Sequence, residues 1–387
     1  MKSIRKEFWL CFGVAVFVCG VLLAGLPLVA GTDSEDFLVL GGVDPDDPQL
    51  LVTVEYMTFD RLMEPEVMAL AKRHNLLVAP NIRAHYLNDK LDEFLTAYRE
   101  AGIQVVFWPL LPREECLYLN EKHAEDYLDH LDKIYGWADE HGHKVEALVV
   151  DIEPPNCQEG TDRAPEDREK EGGAQEDLGQ IWDMMDKEEF EEALPKFKKV
   201  LAKLHEHDTV AISTAMDYAA VDLVTKKPVA QDIAGGPALF VDWDYVSFMN
   251  FGSQNTAFLK DLFNEMGMEW DVHDTRYLSY LICKTIAKEY GNRAAISLGQ
   301  TIPGEGHGAV WEDPAELGKD AAACKAAGIV HFGIYDFEGI VEAEDPDAWL
   351  NAVKNAEPKK PDYSIKAATL WNLLKTASMY GAVKRAL

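Results

Sequence analysis

Eight short segments rich in β-branched and apolar residues recur along the chain, and each is followed by a stretch of helical length. They are Leu51–Tyr56, Leu76–Pro80, Gln104–Trp108, Ala147–Asp151, Val210–Ala215, Tyr245–Asn250, Ala294–Gly299 and Ile329–Tyr335. The clearest amphipathic stretches between and after them are Leu91–Ala101, Ala124–His141, Glu188–His205, Leu278–Tyr290, Pro314–Ala327 and Pro346–Asn355. This alternation is the pattern of repeated βα units. Segments such as ALVVD and QVVFW are apolar throughout, which a parallel strand covered on both faces requires. Ala101-Gly102 and Ala327-Gly328 each close a helix just before a strand, where a C-terminal glycine belongs. Eight units running in one direction close into a (β/α)8 TIM barrel, whereas an open doubly wound sheet ordinarily stops at about five or six strands. The barrel is expected over residues 32–360. A last helix, within 361–387, is expected to pack on its exterior.

Residues 1–31 are of another kind. Lys2, Arg5 and Lys6 precede an apolar run over 8–30, which is followed by Gly31, Thr32 and the acidic Asp33, Glu35 and Asp36. Basic, then apolar, then polar is the order of an export signal, with Val29-Ala30-Gly31 as its small-residue cleavage site. The run is also long enough to span a bilayer if retained as an anchor. Either way the body of the protein is expected outside the cytoplasm, secreted or tethered to the outer face of the membrane.

The charge balance excludes one class of partner. With 67 acidic against 37 basic residues and a net charge of −30, the chain repels phosphate backbones, so nucleic acid is not an expected partner. Cys11 and Cys19 lie in the apolar run, and Cys116, Cys157, Cys283 and Cys324 in the body. None shows the close spacing of a zinc or redox site, and no histidine set has ligand spacing, so neither metal nor cofactor is expected. Cys116 and Cys157 either bridge two loops or remain thiols like the others. The acidic insertion 156–186, almost without apolar residues at its centre, reads as a flap over the barrel mouth or as a solvated excursion.

In such a barrel the side chains at strand C-termini converge on one rim. Here they are Glu55; Asn81, Arg83 and His85; Trp108; Asp151 and Glu153; Asp217; Asn250; Gln300; and Tyr335, Asp336 and Glu338. Carboxylates, amides and rings suit a sugar, whose faces stack on aromatics and whose hydroxyls bond acids and amides. Glu55, Asn81, Arg83, Trp108, Asn250, Gln300, Tyr335 and Glu338 are therefore candidates to bind a carbohydrate. The centre is VVDIEPP. Asp151 and Glu153, two residues apart on an extended segment, point the same way. Two acids so close cannot both ionise freely, and one is pushed towards the raised pKa of a general acid. The null alternative is an accidental acid triplet in an acidic chain.

The segment VEALVVDIEPP resembles the acidic signature of glycoside hydrolase family 18, the chitinase-like barrels. Glu153 falls on that family's proton-donating glutamate and Asp151 on the aspartate two residues before it, while Val149 and Glu146 occupy the earlier acidic positions. DWDYVSFMNFG is similar to the family's segment ending in Met-x-Tyr-Asp. Met249 is kept, and Phe251 and Gly252 replace the tyrosine and aspartate. HFGIYDFEG resembles the closing strand, with Tyr335 in place of a tryptophan. The resemblance touches three strands. It implies that Glu153 protonates a glycosidic oxygen while Asp151 orients the substrate's own N-acetyl group for attack on the anomeric carbon.

Phe251 lacks the hydroxyl that holds the acetamido oxygen in that family. A two-carboxylate route therefore stands beside the first, with Asp336, Asp217 or Glu338 as base or nucleophile. The rival from another class is a barrel that binds carbohydrate without cleaving it. An esterase or deacetylase would need a serine or metal constellation that the sequence does not offer. The glycine-rich loop with Gly304, Gly306 and Gly308 lacks nearby Lys or Arg and reads as a plain loop rather than a phosphate cradle.

Overall fold

The computed structural model describes residues 49–112, 117–154, 187–299, 301 and 309–386. Residues 1–31, expected as an export signal or anchor, the insertion 156–186, Gln300, the loop glycines 304, 306 and 308, and Cys116 and Cys157 lie outside the described residues.

Parallel strands form one continuous sheet. They are β1 (Leu50–Val54), β2 (Leu76–Ile82), β3 (Gln104–Val105), β4 (Trp108–Pro109), β5 (Ala147–Ile152), β6 (Val210–Met216), β7 (Tyr245–Asn250), β8 (Ala294–Gly299) and β9 (His331–Tyr335). The order is β3-β2-β1-β9-β8-β7-β6-β5, with β4 also pairing β2. Phe107, between β3 and β4, closes the ring against β5. Its amide donates to Ala147 O at 3.0 Å, and its carbonyl accepts from Val149 N at 2.8 Å. The expected third strand is thus two short pieces that form one wall, and the whole is the (β/α)8 barrel. The last strand starts at His331 rather than Ile329, leaving Val330 46% exposed in the turn.

Strand parity divides the core in two. Leu50, Val52, Val54, Leu76, Val78, Leu148, Val150, Ile152, Phe332 and Ile334 face the surrounding helices. Leu77, Ala79, Val106, Trp108, Ala147, Val149 and Ile212 fill the lumen, with Leu51, Tyr245 and Tyr335 packed against them. Continuous apolarity in the sequence is this double burial.

The helices begin and end on local chemistry. Asn88 accepts from Lys90 N to open Asp89–Ala101, which Gly102 closes at φ 70°, a left-handed position that favours glycine. The helix recognised as Leu278–Tyr290 is longer, Val272–Tyr290, because Asp271 and Asp274 form a reciprocal capping box at its start. Cys283 on it faces Cys324 of helix Pro314–Ala326, two buried free thiols with Sγ atoms 3.4 Å apart.

The terminal helix Ile365–Ala386 leans on Val272–Tyr290 and on the short helix Val221–Thr225. Ala367 and Trp371 are buried there. Ser364 Oγ donates to Asp274 Oδ1 at 2.6 Å, and Ser378 Oγ to Asp222 Oδ1 at 3.1 Å. Among the described residues no helix is long and apolar enough to cross a membrane.

Trp371 anchors this helix, so Trp371→Ala is expected to lower stability by about 3 kcal/mol. Denaturant unfolding measures it, and a loss below about 1 kcal/mol would show that the helix contributes little.

Candidate active site

Parity carries the lumen upward to the rim. Residues 51, 77, 147 and 149 point inward, so Glu55, Asn81, Asp151 and Glu153 point inward above them. Asp151 is 4% exposed and Glu153 half-buried, just past the end of β5. Trp108 Nε1 donates to Asp151 Oδ2 at 3.2 Å, while Asp151 Oδ1 is buried without a partner. Among the described residues no Lys, Arg or His forms an ion pair with Asp151, Glu153 or Glu55.

Burial, and then the negative charge of Glu55, push Asp151 up to about 7; the Trp108 and Ile152 N–H groups pull it back. Glu153 is pushed well above the ordinary carboxylate range by burial and by the charges of Asp151 and Glu55. The difference between the two lies in their donors. N–H groups favour the charged form of Asp151, and only forces favouring the protonated form act on Glu153.

Trp108 is a correction. Expected as a ring for stacking sugar, it is 3% exposed, filled in by the lumen core and committed through its N–H to Asp151. Asn81 is likewise committed. Its side-chain N–H groups donate to Val54 O and Glu55 O, tying β2 to the end of β1.

Tyr335 Oη donates to Glu55 Oε2 at 2.6 Å, and its ring stacks on Phe251 with centroids 5.5 Å apart. Phe251 thus has an aromatic packing partner at the rim. Arg83 is half-buried at the end of β2, and His85 is exposed beside Tyr86.

The other carboxyls are held elsewhere. Asp217 Oδ2 accepts from Asn250 Nδ2 and Asn255 Nδ2, both at 2.9 Å. Burial pushes it up to about 6 against these bonds. Asn250 shares the parity of Val246 and Phe248, which face the helices, so this amide and carboxyl cluster lies in the barrel wall. Asp336 is fully buried and has the parity of Phe332 and Ile334. It caps helix Phe337–Val341 through Gly339 N, and burial with the charges of Glu338 and Glu55 pushes it up to about 8. Glu338 is half-buried on that helix, raised by burial and by the charge of Glu342.

Four residues escaped the sequence reading. Tyr118, half-buried in the lumen core, has its hydroxyl held protonated by burial and by the charges of Glu153, Glu55 and Asp151. Tyr218 is held likewise by burial, Asp217 and Glu153. Tyr56 is pushed up to about 12 by burial and the charge of Glu55. Tyr56 and Tyr218 directly follow rim carboxyls and were open to the same strand-end rule; Tyr118 sits in a loop that only the Leu119 N to Asp151 O bond brings to β5. Gly235 is the fourth. At φ 98° it presses on the Glu153 backbone, and a Cβ there would lie 2.2 Å from Glu153 O.

No family model and no curated protein matches the chain. Among solved structures it is similar to the PgaB (BpsB) glycoside hydrolase domain from Bordetella bronchiseptica, at 13% identity over 81% of this chain and 100% of that one, with a TM-score of 0.45. A putative α-L-fucosidase from Bacteroides thetaiotaomicron gives 11% identity, coverage of 90% and 99%, and a TM-score of 0.44. A broad specificity endoglucanase from Clostridium longisporum gives 12%, 81% and 97%, and 0.40. The neighbours thus include glycoside hydrolases of the barrel class, and at these values the likeness says nothing of the rim's chemistry.

Two outcomes follow from the site. Asp217, Asp151 and Asp336 bind protons more tightly folded than unfolded, so the stability this contributes is complete below the unfolded carboxylate range. It is lost as pH rises through about 6, 7 and 8. In the opposite sense Asp347, held down to about 2 by Arg73 and His74, loses its stabilisation only towards strong acid. Calorimetry is expected to find the highest Tm near about pH 4, declining as pH rises towards 8; a rising Tm over that range would contradict the assignment. Gly235→Ala is expected to destabilise the fold by more than about 1 kcal/mol, read by thermal unfolding; an unchanged Tm would mean that the Glu153 backbone is not pinned there.

Proposed function

We propose that the protein is a glycoside hydrolase in which Glu153 protonates the glycosidic oxygen. One observation supports this above the rest. Asp151 and Glu153 share the lumen mouth with no basic partner among the described residues, and the Trp108 N–H favours charge on Asp151 alone. Neighbouring acids whose surroundings push them apart in this way divide into a proton donor and a stabilising anion. Asp151 then stands ready to meet positive charge developing at the anomeric carbon.

The substrate is read as a neutral glycan. Glu55, Asp151 and Glu153 lie at the mouth unneutralised, so uronic or sulfated chains would meet like charge there. Phe251 offers no hydroxyl to an acetamido oxygen and packs on Tyr335, which favours two protein carboxyls over the substrate-assisted route of family 18. The order of charge and apolarity in 1–31 supports export, with 8–30 as the tether if it is retained.

Glu153→Gln is expected to lower kcat on a responsive glycan by about 10²–10⁴-fold while leaving the fold intact. Full activity in the variant would refute the assignment. Binding without turnover in the wild type, across a broad glycan panel, would instead support a carbohydrate-binding barrel.

A further inference from the structure

The proton donor needs a partner, and the four other acids at the rim are not equivalent. Asp217 is clamped by two amides in the barrel wall, and Asp336 is fully buried as a helix cap. Glu338 sits on the helix beyond β9 beside Glu342. Glu55 differs from all three. Its parity on β1 directs it into the lumen, and it is half-buried rather than sealed. One carboxyl oxygen is held by Tyr335 Oη at 2.6 Å from β9. Its backbone carbonyl is held by Asn81 from β2. Asn81 pairs in register with Trp108, and Trp108 holds Asp151. A continuous bonded path around the rim therefore fixes Glu55 relative to the Asp151 and Glu153 pair.

We infer that Glu55 is the second catalytic carboxyl, the base that activates water opposite Glu153, and that Tyr335 is its positioning residue. This rests on the reading of Glu153 as donor. β1 and β5 stand three positions apart around a ring of eight, on facing rather than adjacent walls, and an inverting pair needs its two acids on opposite sides of the site with a water between them. In the step, water oxygen bonds to the anomeric carbon as the bond to the leaving oxygen breaks. Glu153 gives its proton to the leaving oxygen, and the Glu55 carboxylate takes one from the water. The product carries the inverted anomeric configuration.

The test compares Glu55→Gln, Tyr335→Phe and Glu153→Gln on a glycan that the wild type cleaves and on an aryl glycoside of the same sugar with a dinitrophenyl leaving group. Glu55→Gln is isosteric and retains an acceptor for Tyr335, and thermal unfolding checks that it folds. It is expected to lower kcat by about 100-fold or more on both substrates, since the attack is impaired whichever group leaves. Glu153→Gln is expected to fail on the glycan but largely keep the aryl glycoside, which needs no proton donor. Tyr335→Phe is expected to lower kcat by about 10-fold on both substrates with KM little changed, because Glu55 loses the hydroxyl that positions it. Glu55→Gln within about threefold of the wild type, where Glu153→Gln is impaired on the glycan, would overturn the inference and leave the proton donor standing. Retention of anomeric configuration would overturn the base role. Impairment in Glu55→Gln with none in Glu153→Gln would instead remove the reading of Glu153.

Discussion

Everything at the rim follows from carboxyls brought together in a narrow, partly dry space with too few donors to let all of them ionise. The barrel creates that condition by geometry alone. A strand facing the lumen with alternate residues must continue to do so at its last turn, and on β5 the last two inward positions are Asp151 and Glu153. Burial then penalises both charges, and Glu55 adds a third negative centre. Had an arginine been within reach, the pair would have become a structural ion pair instead of a proton-holding one.

The surroundings convert this crowding into a division of labour. The Trp108 N–H reaches Asp151, while the hydroxyls of Tyr118 and Tyr218 are kept protonated by burial and by the charge of Glu153. Gly235 sets the height of Glu153 by pressing on its backbone from the connection that follows β6. The outer helices, capped by Asn88, Asp271 and Asp313, hold the strands in register beneath. The terminal helix adds the Ser364–Asp274 and Ser378–Asp222 contacts on the outside.

Much of this was legible in the sequence because barrel strands obey local rules. Double-sided apolarity marked the strands, period-two alternation put Asp151 and Glu153 on one side, and the position of Glu55 at a strand end put it on the same rim. What could not be read depends on contacts across strands. Trp108 looked like a stacking platform because nothing local says that its N–H meets an acid from β5. Asp336 and Asp217 looked like the second catalytic carboxyl and Glu55 like a sugar-binding residue, since a cap and an amide clamp appear only once helix Phe337–Val341 and Asn255 are in place. Tyr118 lies in a loop with no strand pattern at all. The split of the third strand into β3 and β4, bridged by Phe107, is a barrel-closure effect that no window of residues reveals.

The central claim is that Asp151 and Glu153 share a site in which their proton affinities are raised and coupled. Infrared spectroscopy of the carboxyl stretch as a function of pH, with Glu153→Gln and Asp151→Asn to assign the bands, measures this directly. The account predicts protonated carboxyl absorption that persists at neutrality in the wild type and loses its Glu153 component in Glu153→Gln, while the buried Asp336 keeps its own. It predicts too that Asp151→Asn, by removing a neighbouring negative charge, moves the Glu153 midpoint down towards the ordinary carboxylate range. Both carboxyls ionising together in that ordinary range in the wild type would contradict it.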